Sequence, residues 1–221
     1  KEFSNKITIT SSQFPLHKSF NDLHVKYLIL TGPFCLYPRL ITKYVVSQPS
    51  LSKEYRKIIR NNPDIQFFLN LSNFPVIRSK NISFVFRDIV DPRLPANFIT
   101  NRISSFDGAL RVAILIAIYM GFDHIYLVGC DYTHVPSRTL HWYEKGQGVF
   151  IPHENYEKDF FEIAKEFIDI TTITLDGTSD YINAQTYKEF TGRDPIFREN
   201  TDLLDEKSMK VLDTWHGYSI Y

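Results

Sequence analysis

Residues 121–134 read Gly-Phe-Asp-His-Ile-Tyr-Leu-Val-Gly-Cys-Asp-Tyr-Thr-His, and this stretch decides the fold. The apolar run that ends at Val128 is typical of a buried parallel strand, and Asp131 follows at the edge of the sheet where open α/β folds bind ligands. Between Asp131 and His153 the chain carries one Asp, two Tyr and three His. Such groups are costly to bury without partners and suit proton transfer, so this segment is the first candidate for a functional site.

A long apolar segment precedes this strand. Residues 108–120 carry one charge, Arg111, which predicts a helix packed deep against a sheet. Ser105 or Asp107 is the expected cap at its start, and Gly121 is the expected stop. The segment is too short to span a bilayer.

The composition predicts one globular unit. The chain has 221 residues, of which 43% are hydrophobic and 23% charged, and its formal net charge is zero. No overall field favours nucleic acid or an anionic membrane, so a nucleic-acid partner is not expected. Cys35 and Cys130 lack metal-ligand or CxxC spacing, which predicts buried free thiols and favours a reducing, cytoplasmic location. There is no signal peptide or transmembrane run, and the start at Lys1 instead of Met leads us to expect either an excised piece or a part of a larger protein.

Strand and helix patterns alternate along the chain. Strands are predicted at 6–10, 25–31, 65–71, 82–86, 124–129 and 171–175, and helices at 102–120 and 156–170, while 36–47 and 52–60 are predicted to be helical or mixed. Short connections between them predict a mostly parallel sheet with right-handed crossovers. Residues 181–221 have weaker patterning, more charge and no strong strand, so helices and loops packed on the main domain are expected there.

A longer pattern surrounds the central strand. Asn101-Arg102-Ile103-Ser104-Ser105 leads into the apolar helix and then into residues 121–132. This order resembles the central segment of the bacterial CMP-sialic-acid-dependent sialyltransferases (glycosyltransferase family 42). It also resembles the Rossmann-like family that includes motility accessory factors and archaeal hydroxymethylpterin diphosphokinases. The likeness continues through Phe150-Ile151-Pro152-His153, and a fainter echo lies at Ser12-Gln13-Phe14 and Gly32-Pro33-Phe34.

The resemblance implies a Rossmann-like α/β fold with helices on both faces of a mostly parallel sheet. Residues 1–180 would form the glycosyltransferase domain, and 181–221 its C-terminal extension. The chain would begin at the second strand of that fold, so the first nucleotide-binding strand and its glycine-rich turn are missing from it.

Roles for individual residues follow from the same resemblance. His153 would be the general base that deprotonates the acceptor hydroxyl, Arg102 would meet charged groups of donor or acceptor, and Tyr143 would stabilise the departing phosphate. The residues expected to bind substrate are Ser12, Gly32, Ser104, Ser105, Asp131, Tyr132, Thr133, His141 and Phe150. Thr133 and Phe150 stand where the sialyltransferases have Tyr, and Ser12 and Gly32 stand where they have Asn. No metal or other cofactor is expected.

The implied activity is glycosyl transfer in bacterial surface polysaccharide (lipopolysaccharide) synthesis. The donor would be CMP-sialic acid, another CMP-nonulosonate or CMP-Kdo, and the partners would be that nucleotide sugar and a glycan acceptor. Peripheral membrane association and a homo-oligomer stay open. Two other functions stay open: a pterin diphosphokinase-like enzyme and a non-catalytic Rossmann-like binding module.

Each candidate residue also has a purely structural interpretation. Asp131 would then cap a strand end, Arg102 would pair with Asp107 or Asp131, and His153 would begin a helix. The segment 141–143, His-Trp-Tyr, would pack a loop, and His124, His134 and His216 would be surface or packing residues. No spacing of His, Asp or Glu has the i, i+4 form of a helical metal site.

Overall fold

The chain has a mixed α/β architecture. The computed structural model describes residues 6–38, 49–85, 108–130, 133, 137–138, 140–146, 148–151, 158–213 and 220. Within these residues helices alternate with strands, and the two larger sheets contain only parallel pairs. This confirms the predicted α/β class and is consistent with a Rossmann-like arrangement.

The first sheet has four parallel strands in the order β1-β2-β3-β4. They are Thr8–Ser11 (β1), Val25–Leu30 (β2), Gln66–Asn70 (β3) and Ile82–Val85 (β4). Successive residues of a strand face opposite sides of a sheet, and the successive residues Leu28 and Ile29 of β2 are both fully buried. The sheet is therefore covered on both faces at its centre, as the apolar run of β2 predicts.

Helix α1 (Pro49–Asn61) connects β2 to β3 and covers one face of this sheet. Its buried residues Leu51, Tyr55 and Ile59 recur every four positions, so they form one apolar stripe. The stripe packs with Leu28 and Phe67 in the largest core cluster. Residues 52–60, which were predicted to be helical or mixed, are helical, and the helix extends three residues before them and one residue after them.

Helix α2 (Ala109–Tyr119) is the predicted apolar helix and contacts β1 and β2. Val112, Leu115 and Ile116 pack with Ile29 on the other face of the first sheet. The helix follows Gly108 without a side-chain cap and ends ahead of Gly121, whose φ of 78° is in the left-handed region. The expected caps Ser105 and Asp107 lie outside the described residues.

The second sheet has three parallel strands in the order β5-β8-β9. They are His124–Val128 (β5), Asp169–Thr174 (β8) and Asn183–Thr186 (β9), and helix α3 (Lys158–Ala164) precedes β8. Phe161 of α3 packs with Leu127 and Ile170 under α2. A two-residue antiparallel ladder joins Ser137–Arg138 (β6) to Phe150–Ile151 (β7).

Two sequence predictions were wrong in this half of the molecule. The helix predicted for 156–170 is described from Lys158 and ends at Ala164, because the chain turns over 165–167 and β8 begins at Asp169. Residues 181–221 were expected to hold helices and loops alone, but Asn183–Thr186 forms β9. Asn183 and Ala184 are of residue types depleted in strands, so the pairing of the segment with β8 decides its conformation.

The rest of the C-terminal segment contains α4 (Tyr187–Thr191), α5 (Asn200–Leu203) and α6 (Glu206–Asp213). Helix α4 contacts β8 and β9, whereas the part that follows packs against the first core cluster. Leu204 and Leu212 are buried beside the residues of α1 and β2. No helix within the described ranges is long and apolar enough to cross a membrane.

Candidate functional site

The carboxyl edge of the first sheet carries two residues with unusual backbone conformations. Ser12 follows β1 with a φ of 53°, and Phe34 lies after β2 with a φ of 55°. Non-glycine residues adopt this left-handed region rarely and at a cost, and such residues cluster at functional sites. The neighbouring strands β1 and β2 thus both end in strained turns at the edge where parallel α/β sheets bind ligands.

The turn after β2 is held by the turn after β3. The amide of Asn73 donates to the carbonyl oxygens of Gly32 and Asn70, each at 3.2 Å, and its Oδ1 accepts from the backbone N–H of Leu36 at 2.9 Å. The backbone N–H of Phe34 donates to Ser72 Oγ at 2.8 Å. Because Asn73 is fully buried, these bonds fix the Gly32–Leu36 turn without competition from water.

Helix α1 supports the same turn through Arg56. The guanidinium of Arg56 donates twice to the carbonyl of Leu36, from Nε at 3.1 Å and from Nη2 at 2.6 Å. Its Nη1 donates to the carbonyl of Val76 at 3.0 Å. The turn is therefore a rigid element of the sheet edge, which is what a recognition loop on a scaffold requires.

Cys35 belongs to this turn. Burial raises the pKa of its thiol to about 12, although contacts of the thiol with its own backbone and with Asn73 act in the opposite direction. So high a pKa argues against a nucleophilic role. Neither Cys35 nor Cys130 forms a disulfide, as predicted, but both are half-buried rather than buried.

Cys35 is expected to react at pH 8 at least ~10²-fold more slowly than glutathione with a chromogenic disulfide reagent, because only the thiolate attacks. A Cys130→Ser variant isolates the signal, and absorbance of the released thiolate measures the rate. Unfolding in denaturant should bring the rate to that of glutathione. A rate within tenfold of glutathione in the folded protein would contradict the enclosure of this turn.

The loop 140–146 packs beside the turn that follows β1. The ring of Trp142 lies 6.0 Å from that of Phe14 and 5.0 Å from that of His17, centroid to centroid. Tyr143 is 1% exposed and packs in the same core cluster as Leu36. The aromatic segment therefore lies against the same side of the first sheet as the Gly32–Leu36 turn.

The C-terminal segment fastens this loop. The side-chain amide of the buried Asn200 donates to the carbonyl of Tyr143 at 3.2 Å and to that of Ile220 at 3.0 Å. A buried amide that donates to two backbone carbonyls fixes the two chain segments relative to each other. Residues 181–221 therefore help to position a predicted site residue.

His141 stands out from this packing. Its side chain is 56% exposed, while that of Glu144 is 8% exposed, and the two groups meet through His141 Nδ1 and Glu144 Oε2 at 2.9 Å. The same Oε2 accepts from the backbone N–H of His141 at 2.8 Å. The loop thus presents an exposed imidazole on a buried carboxylate.

The carboxyl edge of the second sheet is rich in hydroxyls that bond to one another. Thr133 is fully buried. Its Oγ1 lies 2.9 Å from the carbonyl oxygen of Cys130 and 3.1 Å from Thr172 Oγ1. Ser179 Oγ donates to the carbonyl oxygen of Thr133 at 2.6 Å. These bonds tie the turn after β5 to the turn after β8. The predicted contact of Thr133 with substrate stays a prediction, although its burial and bonds already explain its presence.

Some of the other predicted site residues lie within the described residues and some lie outside them. Ser12, Gly32, Tyr143 and His141 lie in or beside the turns at the first sheet edge, and the backbone of Phe150 lies in β7. The expected convergence of Asp131, Arg102 and His153 falls outside the described residues, as do Ser104, Ser105 and Tyr132. Because Tyr143 is almost fully buried, a contact of its hydroxyl with a phosphate requires the loop 140–146 to move.

Sequence reasoning missed Asn73 and Glu144. Asn73 follows a predicted strand in the pattern Asn-Leu-Ser-Asn, which has a turn-forming composition but no catalytic signature. Glu144 lies three residues after His141 outside any helix, so no periodic pattern indicates their contact. Only the fold of the loop places the two groups together.

A groove of about 460 Å³ lies elsewhere, between the turns at 15–21, α1 and α6. None of the predicted site residues lines it, and its rim carries both cations and carboxylates. His17 lines this groove, where burial lowers its pKa, an effect that Asp22 partly offsets. Among the described residues no group of three or more His, Cys, Asp or Glu side chains has the arrangement to hold a metal ion.

No protein-family model matches the chain, and no curated protein matches it at a significant level.

Proposed function

We propose that the chain is a nucleotide-sugar-dependent glycosyltransferase. The donor would be a CMP-linked sialic acid, another nonulosonic acid or Kdo, and the enzyme would act in the cytoplasm in bacterial surface polysaccharide synthesis. The observation that supports this best is the first sheet edge, where the strained turns at Ser12 and Phe34 lie on adjacent parallel strands. A rigid edge of this kind suits the binding of a nucleotide, as at the carboxyl ends of other open α/β sheets.

The proposed reaction transfers a sugar from phosphate to a hydroxyl. The acceptor oxygen attacks the anomeric carbon as its proton passes to His153, and the bond from that carbon to the phosphate oxygen breaks. CMP leaves with the bonding electrons, and Arg102 stabilises its charge. Tyr143 would join Arg102 once its loop opens. No step in this sequence consumes an oxidant, a reductant or a second nucleotide.

CMP is expected to raise the thermal unfolding midpoint more than UMP, GMP or AMP does. A ligand that binds only the folded state at 100 times its Kd adds about 2.7 kcal/mol, which corresponds to roughly 5–10 °C for a chain of this size. The measurement is a thermal-shift series on the longest natural form of the protein. Stabilisation by ATP with Mg²⁺ but not by CMP would favour the diphosphokinase, and stabilisation by no nucleotide would favour the non-catalytic module.

A further inference from the structure

Residues 194–198 form an arm that is exposed along its whole length. The chain is fixed on both sides of it, since Gly192 ends α4 with a φ of 73° and Asn200 is buried. No turn or bend occurs from residue 194 to residue 199, and Pro195 favours extended backbone in the residue before it. The arm is therefore an extended segment held in place before any partner binds, which lowers the entropy cost of binding.

Two large apolar side chains project from the arm. Ile196 is 76% exposed and Phe197 is 56% exposed. Since successive residues of an extended chain face opposite sides, these two side chains lie on opposite faces of the arm. Adjacent exposed apolar side chains on a fixed segment are typical of an interaction site.

The backbone of the arm has one edge open for pairing. Beside the arm, the N–H of Arg193 donates and the carbonyl oxygen of Glu199 accepts a hydrogen bond within the chain, at 3.2 and 3.0 Å. Backbone groups of alternate residues in a strand point to the same edge, so those of Asp194, Ile196 and Arg198 lie on the other edge. No described residue bonds to these three N–H groups. They form a template to which another strand can add.

The arm is complementary to a second copy of itself. Its sequence is Asp194-Pro195-Ile196-Phe197-Arg198, with opposite charges at its two ends. In an antiparallel pair about a twofold axis at Ile196, Asp194 lies opposite Arg198 of the second copy. The same register places Phe197 opposite Pro195 and Ile196 opposite its own copy. Opposite charges and apolar pairs directly across two strands stabilise their pairing.

Pro195 determines which pairs exchange hydrogen bonds. It has no N–H, so it fits where that position points away from the neighbouring strand. The register centred on Ile196 meets this condition, because Asp194, Ile196 and Arg198 then form the hydrogen-bonded pairs. Lys188 Nζ lies 2.9 Å from Asp194 Oδ1, but both side chains are exposed and the second carboxylate oxygen can accept from a guanidinium.

We infer that the arm is a dimerisation surface, through which two copies of the chain associate by antiparallel pairing of residues 194–198. An interface with twofold symmetry closes after two copies, so it yields a dimer and not a fibre. The paired area is small, so the dimer is expected to be weak, with a Kd on the order of 10⁻⁵–10⁻⁴ M. This inference is independent of the proposed glycosyl transfer.

Sedimentation of the full-length protein between about 10 µM and about 1 mM measures this equilibrium. Asp194→Arg and Arg198→Asp should each raise the Kd of the dimer at least about tenfold, because each substitution places like charges opposite each other twice. An equimolar mixture of the two variants should recover the wild-type Kd within about threefold, since every charge then faces its opposite in the mixed dimer.

Asp64→Arg is the matched control, because it makes the same charge change at an exposed residue before β3. It should leave the Kd within about twofold of the wild type, and so should Lys188→Ala, which removes only the salt bridge within the chain. Ile196→Asp should weaken the dimer at least about tenfold without lowering the thermal midpoint, because the residue is exposed in the single chain.

Three results would overturn the inference. The first is a wild-type protein that stays monomeric at about 1 mM, well above the expected Kd. The second is a dimer that Asp194→Arg and Ile196→Asp leave intact, since the contact would then lie elsewhere on the chain. The third is an equimolar mixture of Asp194→Arg and Arg198→Asp that stays monomeric, since the antiparallel register would then be wrong.

Discussion

Replacing His153 with alanine is expected to lower turnover by roughly 10²–10⁴-fold while leaving donor affinity nearly unchanged. The reason is that a general base acts on the acceptor proton in the transition state and contributes little to donor binding in the ground state. Release of CMP from the sugar nucleotide, with the best available glycan acceptor, measures turnover, and calorimetry with CMP measures affinity.

A His124→Ala variant is the control for this experiment, because His124 is exposed on β5, outside the turns of the first sheet edge. It should retain wild-type turnover. If His153→Ala keeps more than about a third of wild-type activity, the base is another residue. His141 is the next candidate, since its side chain is 56% exposed in the loop beside the first sheet edge, and His141→Gln would then show the loss in turnover.

The sheet was predictable from the sequence where burial alone determines the strand. Residues 25–31 and 65–71 are apolar on both faces, and the structure forms β2 and β3 there because both faces of the sheet are covered. Helix α2 was equally predictable, since its apolar run indicates a buried helix and the glycine after it indicates where that helix ends. In these places local sequence and tertiary environment require the same conformation.

The errors occur where tertiary contacts override local pattern. Phe167 continues the apolar pattern of α3, which predicts a buried helical residue. In the structure it lies in the turn before β8, and its side chain is 44% exposed. Asn183–Thr186 has no strand signature and is nevertheless paired in register with Thr171–Thr174. Such pairings depend on the neighbouring strand and cannot be read from the segment itself.

The candidate site was only partly predictable for a related reason. Ser12 and Gly32 were chosen by resemblance, and both lie in turns at the first sheet edge. What makes that edge rigid is Asn73, whose partners Gly32 and Leu36 are 41 and 37 residues away in sequence. A single sequence contains the residue but not the contact, so its role becomes visible only in the folded chain.

Asn73→Ala is expected to lower the free energy of unfolding by about 2–4 kcal/mol, a large share of the ~5–15 kcal/mol that stabilises a typical domain. The substitution leaves the buried N–H of Leu36 and the carbonyl oxygens of Gly32 and Asn70 without the amide that now bonds all three. Urea unfolding measures the change, with a lower midpoint and an unchanged slope. The thermal midpoint should fall by roughly 5–15 °C.

Asn21→Ala is the matched control, because Asn21 is exposed at the groove beside α1, and it should cost less than about 0.5 kcal/mol. A loss in the free energy of unfolding below about 1 kcal/mol in Asn73→Ala would mean that water replaces the amide, so the turn would be accessible to water.

The same variant also tests whether this turn binds the nucleotide. If the Gly32–Leu36 turn binds the nucleotide, the variant should bind CMP at least tenfold more weakly under conditions in which it stays folded. Wild-type affinity for CMP in a destabilised Asn73→Ala protein would place the nucleotide away from this edge of the sheet.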